Sequence, residues 1–212
     1  MTKNAVIFDI DGTLTNSTSA IIRSWNRYLS SLDCPVRLLD EELAGSLMGK
    51  TMDEWAMAVL PGMPLSKARP ITVTLEQIEN DEIRTNGTGL YPDVKETFEL
   101  LNKDYDLFIL SNCGKGYIEA VMDYAGITEY VKGHLCNGDT GLDKPDNMRK
   151  MIEDYDMHDP VYVGDTARDG ECCREVGIPF IYVSWGFGDV PNAQYRADSM
   201  KELPDVIRSV YK

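Results

Sequence analysis

The stretch "NAVIFDIDGTLTNS", Asn4 to Ser17, ends a short apolar run in two aspartates one residue apart, with Gly12 and Thr13 directly after them. Residues i and i+2 of an extended segment point to the same side, so Asp9 and Asp11 bring two negative charges together where a buried strand should stop. That arrangement needs compensation. The rest of the chain indicates what could supply it.

Similar apolar runs recur downstream. "DLFILSN" (Asp106 to Asn112), "VYVGD" (Val161 to Asp165) and "PFIYVS" (Pro179 to Ser184) read as buried strands, with a weaker one near Gly133 to Cys136. Helical patterns alternate with them. In "PDVKETFELLNKDY" the apolar residues Val94, Phe98 and Leu101 return every three to four positions; "YIEAVMDYAG" has Gly126 as its C-cap, and "ARDGECCREVG" follows the Asp165 strand. Strands alternating with helices predict an α/β fold, a parallel sheet covered on both faces.

Residues 16–86 break this rhythm. They read as helices over "SAIIRSWNRYLSSL", "LDEELAGSLMG", "TMDEWAMAVL" and Leu75 to Arg84, with a Pro-rich turn at "PGMPLSKARP". The expected organisation is therefore an α/β core of residues 1–15 and 87–212 with an α-helical second domain of residues 16–86 inserted after the first strand. The chain should leave the core near Asn16 and return near "NGTGLYP".

Bulk composition narrows the functional classes. The 212 residues are 43% hydrophobic, as in an ordinary globular protein, and 35 Asp and Glu outweigh 21 Lys and Arg for a net charge of -14. Such a surface repels a phosphate backbone, so no nucleic-acid partner is expected. Only four apolar residues, Ala5 to Phe8, precede the first Asp, too few for a signal-peptide core, and no run reaches membrane-spanning length. A soluble, cytoplasmic protein without a membrane partner is expected. Five cysteines without a CxxC pair are not a zinc pattern, and His134 and His158 lie too far apart in sequence to suggest a catalytic pair.

In open parallel sheets, ligands bind beyond the carboxyl ends of the strands. Those ends here carry Asp9 and Asp11, then Ser111 and Asn112, then Asp165 with Asp169 in "GDTARD", and Lys144 stands in "GLDKPD" before a helix. Carboxylates converging from separate strands suit a hard divalent cation, and Mg2+ commonly combines carboxylates, water and substrate phosphate oxygens. Such an ion would offset the Asp9/Asp11 repulsion.

"DIDGTLT", "LSN", "KP" and "GDTARD", in this order and with a helical insert after the first, resemble the four motifs of the haloacid dehalogenase superfamily, in its subgroup with a helical cap. The resemblance covers nearly the whole chain. It implies a Rossmann-like core and a Mg2+-dependent phosphatase acting on a small phosphorylated metabolite such as phosphoglycolate, a sugar phosphate or a nucleoside monophosphate. Asp9 would be the nucleophile forming an aspartyl-phosphate, and Asp11 the general acid and then base. Ser111, Asn112 and nearby amides would hold phosphoryl oxygens while Lys144 neutralises developing charge. Gly12 and Thr13 would let the backbone turn around the phosphate. Asp9, the Asp11 carbonyl and Asp165 would bind Mg2+, with Asp169 orienting them.

The resemblance also implies that a cap loop bearing Gly49 and Lys50 reaches the substrate. Asp11 favours phosphoryl chemistry over dehalogenation, because an expelled halide needs no proton and dehalogenases typically lack this second aspartate. A phosphomutase on the same scaffold is an alternative. A phospho-acceptor signalling domain is a third possibility, though its parts come in a different order and it has no use for a cap. Trp25 and Tyr28 fit core or pocket, and Trp185 and Phe187 either border the rim or pack beside it. Monomer and homodimer are both open.

Overall fold

The computed structural model describes residues 3–212. In chain order the strands and helices are β1 (Asn4–Phe8), β2 (Thr15–Asn16), α1 (Thr18–Leu29), α2 (Glu41–Leu47), α3 (Met52–Val59), α4 (Leu65–Asn86), β3 (Gly89–Leu90), α5 (Val94–Leu101), β4 (Asp106–Ser111), α6 (Tyr117–Ala125), β5 (Val131–Cys136), α7 (Asn137–Thr140), α8 (Lys144–Asp154), β6 (His158–Gly164), α9 (Ala167–Val176), β7 (Phe180–Val183), β8 (Tyr195–Ala197) and α10 (Leu203–Val210). Six strands form one sheet in the order β5-β4-β1-β6-β7-β8, every neighbouring pair parallel.

Period-two alternation explains the layering. Val6 and Phe8 of β1 face one side with Leu107, Ile109, Val161 and Val163, where helices α5, α6 and α10 supply Phe98, Ile118, Val121 and Ile207. Ala5 and Ile7 face the other side with Phe108, Leu110 and Tyr162, against Met148 and Met151 of α8 and Cys172 and Cys173 of α9. Both faces of each central strand are thus dry, which is why these strands read as continuous apolar runs. With β4 on one flank of β1 and β6 on the other, the crevice beyond their carboxyl ends lies where the strand order reverses.

Helices α1 to α4 have their own apolar cluster, centred on Trp25, Leu29, Trp55, Val59 and Leu75. The antiparallel pair β2-β3 joins the segments that leave and re-enter the sheet region, with Thr15 opposite Leu90 and Asn16 opposite Gly89. Helix α4 belongs to both bodies: Ala68 and Leu75 pack in the helical cluster and Ile83 in the sheet cluster. The Asn80 Nδ2 amide donates to the Lys115 carbonyl at 2.9 Å, tying α4 to the turn before α6.

Two local features differ from the sequence reading. The Pro-rich turn expected through Pro70 is shorter, because α4 already starts at Leu65 and contains Pro70. Pro70 is exposed, so the carbonyl one turn earlier that it cannot satisfy faces water, while the buried stripe Ala68, Thr72, Leu75, Glu79 and Ile83 holds the helix. The strands β2, β3 and β8, of two or three residues each, lack an apolar run and form through pairing alone. No helix is long and apolar enough to cross a membrane among the described residues.

Candidate active site

Strand β1 delivers Asp9, and a tight loop follows. Thr13 and Leu14 N–H both donate to the Ile10 carbonyl, at 3.1 and 2.7 Å, and Gly12 N–H donates to the Thr15 carbonyl at 2.8 Å. Gly12 adopts φ +82°, and a Cβ there would lie 2.0 Å from Asp165 Oδ2. Only glycine fits both the left-handed turn and the close approach of the Asp165 carboxylate.

Lys144 is the first residue of α8, whose start is set by Asp143 accepting from the Asp146 N–H at 3.1 Å and by Pro145 in the first turn. Its side chain is 2% exposed, with Nζ 3.1 Å from Asp9 Oδ2 and 2.6 Å from Asp169 Oδ1. Burial alone would lower the Lys144 pKa, but Asp169 and Asp9 hold it well above the ordinary lysine range. Lys144 is charged. Its ammonium also lies 5.4 Å from the centre of the Tyr162 ring, and the Tyr162 hydroxyl donates to the Leu110 carbonyl at 2.9 Å.

Asp169 closes a capping box on α9: its Oδ2 accepts from the Thr166 N–H at 3.0 Å and from Thr166 Oγ1 at 2.6 Å, leaving Oδ1 for Lys144. Asp9, Asp165 and Asp169 each bring a carboxylate oxygen to within 4.8 Å of the others. Three carboxyl groups therefore face one ammonium, an excess of two negative charges when all three are ionised. Burial raises the Asp9 pKa well above the carboxylate range against the pull of Lys144, and burial with Asp169 nearby lifts Asp165 to about 7. Asp165 Oδ2 accepts from the Phe187 N–H at 2.7 Å, whereas Oδ1 is buried without a hydrogen-bond partner. Excess negative charge, hard oxygen donors and an unsatisfied carboxylate oxygen fit a divalent cation.

Asp11 turns elsewhere. Its Oδ1 accepts from the Tyr117 hydroxyl at 2.7 Å and from Ser17 Oγ, and Oδ2 takes no hydrogen bond among the described residues. Burial raises its pKa, partly opposed by the bonds from Ser17 and Tyr117. Any contribution of Asp11 to an ion beside Asp9 would come from its main-chain carbonyl, since its carboxylate lies outside the Asp9-Asp165-Asp169 group.

A pocket between the sheet and the helical insert opens onto Asp9, Asp11, Ser111 and Asn112. Gly49 and Lys50, on the loop between α2 and α3, line it from above, and the Gly49 carbonyl accepts from Asn112 Nδ2 at 2.9 Å. The structure thus gathers Asp9, Asp11, Ser111, Asn112, Gly49 and Lys50 around one pocket, with Lys144, Asp165 and Asp169 behind Asp9. Thr13 lies under the loop, its buried Oγ1 unpaired and its carbonyl accepting from Trp185 Nε1 at 3.0 Å. Trp185 and Phe187 brace the loop and Asp165, and a Cβ on Gly186 between them would sit 2.3 Å from Asp165 Cβ.

Tyr117, Ser17 and Glu79 escape a reading of the sequence. Ser17 and Tyr117 look like ordinary helix starts and Glu79 like one acid of a charged helix. No local signal marks them as pocket groups.

The sequence model of the haloacid dehalogenase-like hydrolases matches residues 6–183, most of the chain. The chain belongs to the haloacid dehalogenase-like hydrolase family. As a member, it is similar to the plasmid phosphoglycolate phosphatase of Cupriavidus necator, 25% identical over 96% of this chain and 92% of the relative. It is also similar to the phosphoglycolate phosphatase of Synechococcus elongatus, 27% identical over 87% of this chain and 85% of the relative. A haloacid dehalogenase-like hydrolase from Streptococcus pneumoniae shares the fold with a TM-score of 0.80 at 21% identity, covering 97% of this chain and 98% of that one.

Proposed function

We propose that this hydrolase is a Mg2+-dependent phosphatase of small phosphate monoesters, working through an aspartyl-phosphate on Asp9. The observation that carries the reading is the separation of two adjacent carboxylates. Asp9 is gripped through Oδ2 by Lys144 at 3.1 Å, while Asp11, held through Oδ1 by Tyr117 and Ser17, lines the same pocket. The names of the relatives support phosphatase chemistry.

In the first step Asp9 attacks phosphorus and the bond to the ester oxygen breaks. Asp11, its proton affinity raised by burial, donates its proton to the departing alcohol oxygen. In the second step the Asp11 carboxylate removes a proton from water as that water attacks phosphorus, releasing orthophosphate and restoring Asp9. Lys144 stabilises charge on the phosphoryl oxygens, and Ser111 with Asn112 orients them. Asp9, Asp165 and the Asp11 carbonyl would hold the cation, with Asp169 placing Lys144 and adding its charge. When bound, the ion neutralises the excess carboxylate charge and draws the phosphoryl oxygens to Asp9.

The test is phosphate release from an aryl phosphate and a panel of metabolite esters, with and without Mg2+, in wild type and Asp9→Asn. Metal-dependent release abolished by Asp9→Asn is the expected result. Undiminished release in Asp9→Asn would refute the assignment of the nucleophile.

A further inference from the structure

The part of the pocket lined by the helices of the insert has a composition that the phosphate chemistry does not require. Two tryptophans of the helical cluster, Trp25 and Trp55, line it with their ring centres 5.0 Å apart. Glu79 of α4 lines it as well, 6% exposed. Trp25 Nε1 donates to Glu79 Oε2 at 2.8 Å, and Glu79 Oε1 takes no hydrogen bond among the described residues. No Lys, Arg or His pairs with Glu79 there; the charged groups that act on it are Asp11 and Glu76, both acidic. Lys50, a cation in the lining, lies within electrostatic reach of Glu54 and also borders the recess beside Lys144 and Arg168.

A buried carboxyl with a free oxygen, adjoining indole rings and more acid, is a poor receptor for a second anion. A carboxylated leaving group would find no cation paired with Glu79 to receive it, and an alkyl group would leave Glu79 Oε1 desolvated without a partner. An alkylammonium satisfies each feature at once: its charge meets the carboxylate, and its polarised CH or NH groups lie against the indole rings. Burial, with Asp11 nearby, raises Glu79 to about 8, and a cation beside it would favour the ionised carboxylate.

We infer that the leaving alcohol carries a compact cationic amine, making the substrate the phosphate monoester of an aminoalcohol with its ammonium against Trp25 and Trp55 and beside Glu79. This inference rests on the phosphatase reading above. It makes Glu79, a pocket-lining residue outside the Asp9-Asp165-Asp169 group, a specificity-determining residue.

The experiment compares kcat/KM for choline phosphate and ethanolamine phosphate with that for 3,3-dimethylbutyl phosphate, the uncharged isostere of the former, and for phosphoglycolate. An aryl phosphate reports whether the protein hydrolyses phosphate esters at all. The expected result is a preference of about tenfold or more for the cationic esters over the isostere, with the ratio falling towards one in Glu79→Gln, which keeps an acceptor for Trp25. Equal rates for the isostere, or a preference for phosphoglycolate, while the aryl ester is cleaved would overturn the inference and leave the phosphatase reading intact. If no ester is cleaved, the phosphatase reading fails. Tryptophan fluorescence titrations with choline phosphate and the isostere then decide the cation site alone: selective quenching by the cation supports it, and equal or absent quenching overturns it.

Discussion

Asp9 and Asp11 lie two residues apart, yet one faces an ammonium and the other two hydroxyl donors. In the proposed mechanism the same residue type takes two tasks set by its neighbours, Asp9 as the nucleophile beside the Lys144 ammonium and Asp11 as a carboxyl able to carry a proton. Replacing Asp11 with Asn is expected to slow hydrolysis of alkyl esters by roughly 10²- to 10⁴-fold, with a much smaller effect on expulsion of an aryl alcohol, which needs no proton; leaving-group dependence of single-turnover rates checks this. Gly12→Ala forces a Cβ into Asp165 at φ +82° and is expected to cost ~2 kcal/mol or more, with loss of activity, by chemical denaturation and assay. Glu79 gives a pH signature. Burial first, then Asp11, lifts its pKa to about 8 in the folded protein, above the unfolded value, so the folded state binds the extra proton. The stabilising protonation is complete below the unfolded pKa and disappears as pH rises through about 8, so Tm should fall across that window by the equivalent of a few kcal/mol and fall less in Glu79→Gln. The motif aspartates, Ser111, Asn112 and Lys144 were legible because a parallel sheet puts strand ends on one rim. Tyr117 and Glu79 were not, since only the tertiary fold brings them to Asp11 from sequence separations of 106 and 68.

Among the elements, the buried strands were readable because both their faces are dry, which leaves an uninterrupted apolar run in β1, β4 and β6. The pair β2-β3 and the edge strand β8 were less so, because a strand of two or three residues carries too few side chains to show a period. Helix α4 runs through Pro70 against local propensity, since the stripe from Ala68 to Ile83 is buried in two clusters. At this exposed position Pro70→Ala restores a backbone donor. The substitution should raise stability by about 2 kcal/mol, roughly 3 from helix propensity less up to about 1 from the freer unfolded chain, measured as a shift in the denaturation midpoint. At the start of α9, the Thr166 hydroxyl both caps the helix and holds Asp169, which in turn holds Lys144. Thr166→Ala is expected to cost about 1 kcal/mol of stability and to reduce kcat by loosening the lysine.

For the molecule as a whole, the helical insert and the sheet close over one pocket through the Asn112 amide to Gly49 and the Arg168 to Glu54 pair at 3.8 Å. The linking strands β2 and β3 and the shared helix α4 connect the insert to the sheet region. A net charge of -14 opposes the approach of a phosphate dianion. Raising ionic strength shortens the Debye length from about 30 Å at 0.01 M to about 10 Å at 0.1 M, so kcat/KM for an anionic ester should increase with salt, the reverse of an electrostatically steered substrate. The proposed chemistry depends on Asp9 forming the covalent bond. The decisive measurement is acid-quenched single turnover of an aryl phosphate by Asp11→Asn, in which the first step needs no acid and the second lacks its base, followed by peptide mapping by mass. A hydroxylamine-labile phosphoryl group on the peptide carrying Asp9, in step with aryl alcohol release, is the result expected; stoichiometric alcohol release with no phosphoryl group on the chain, or with one on another residue, would contradict it.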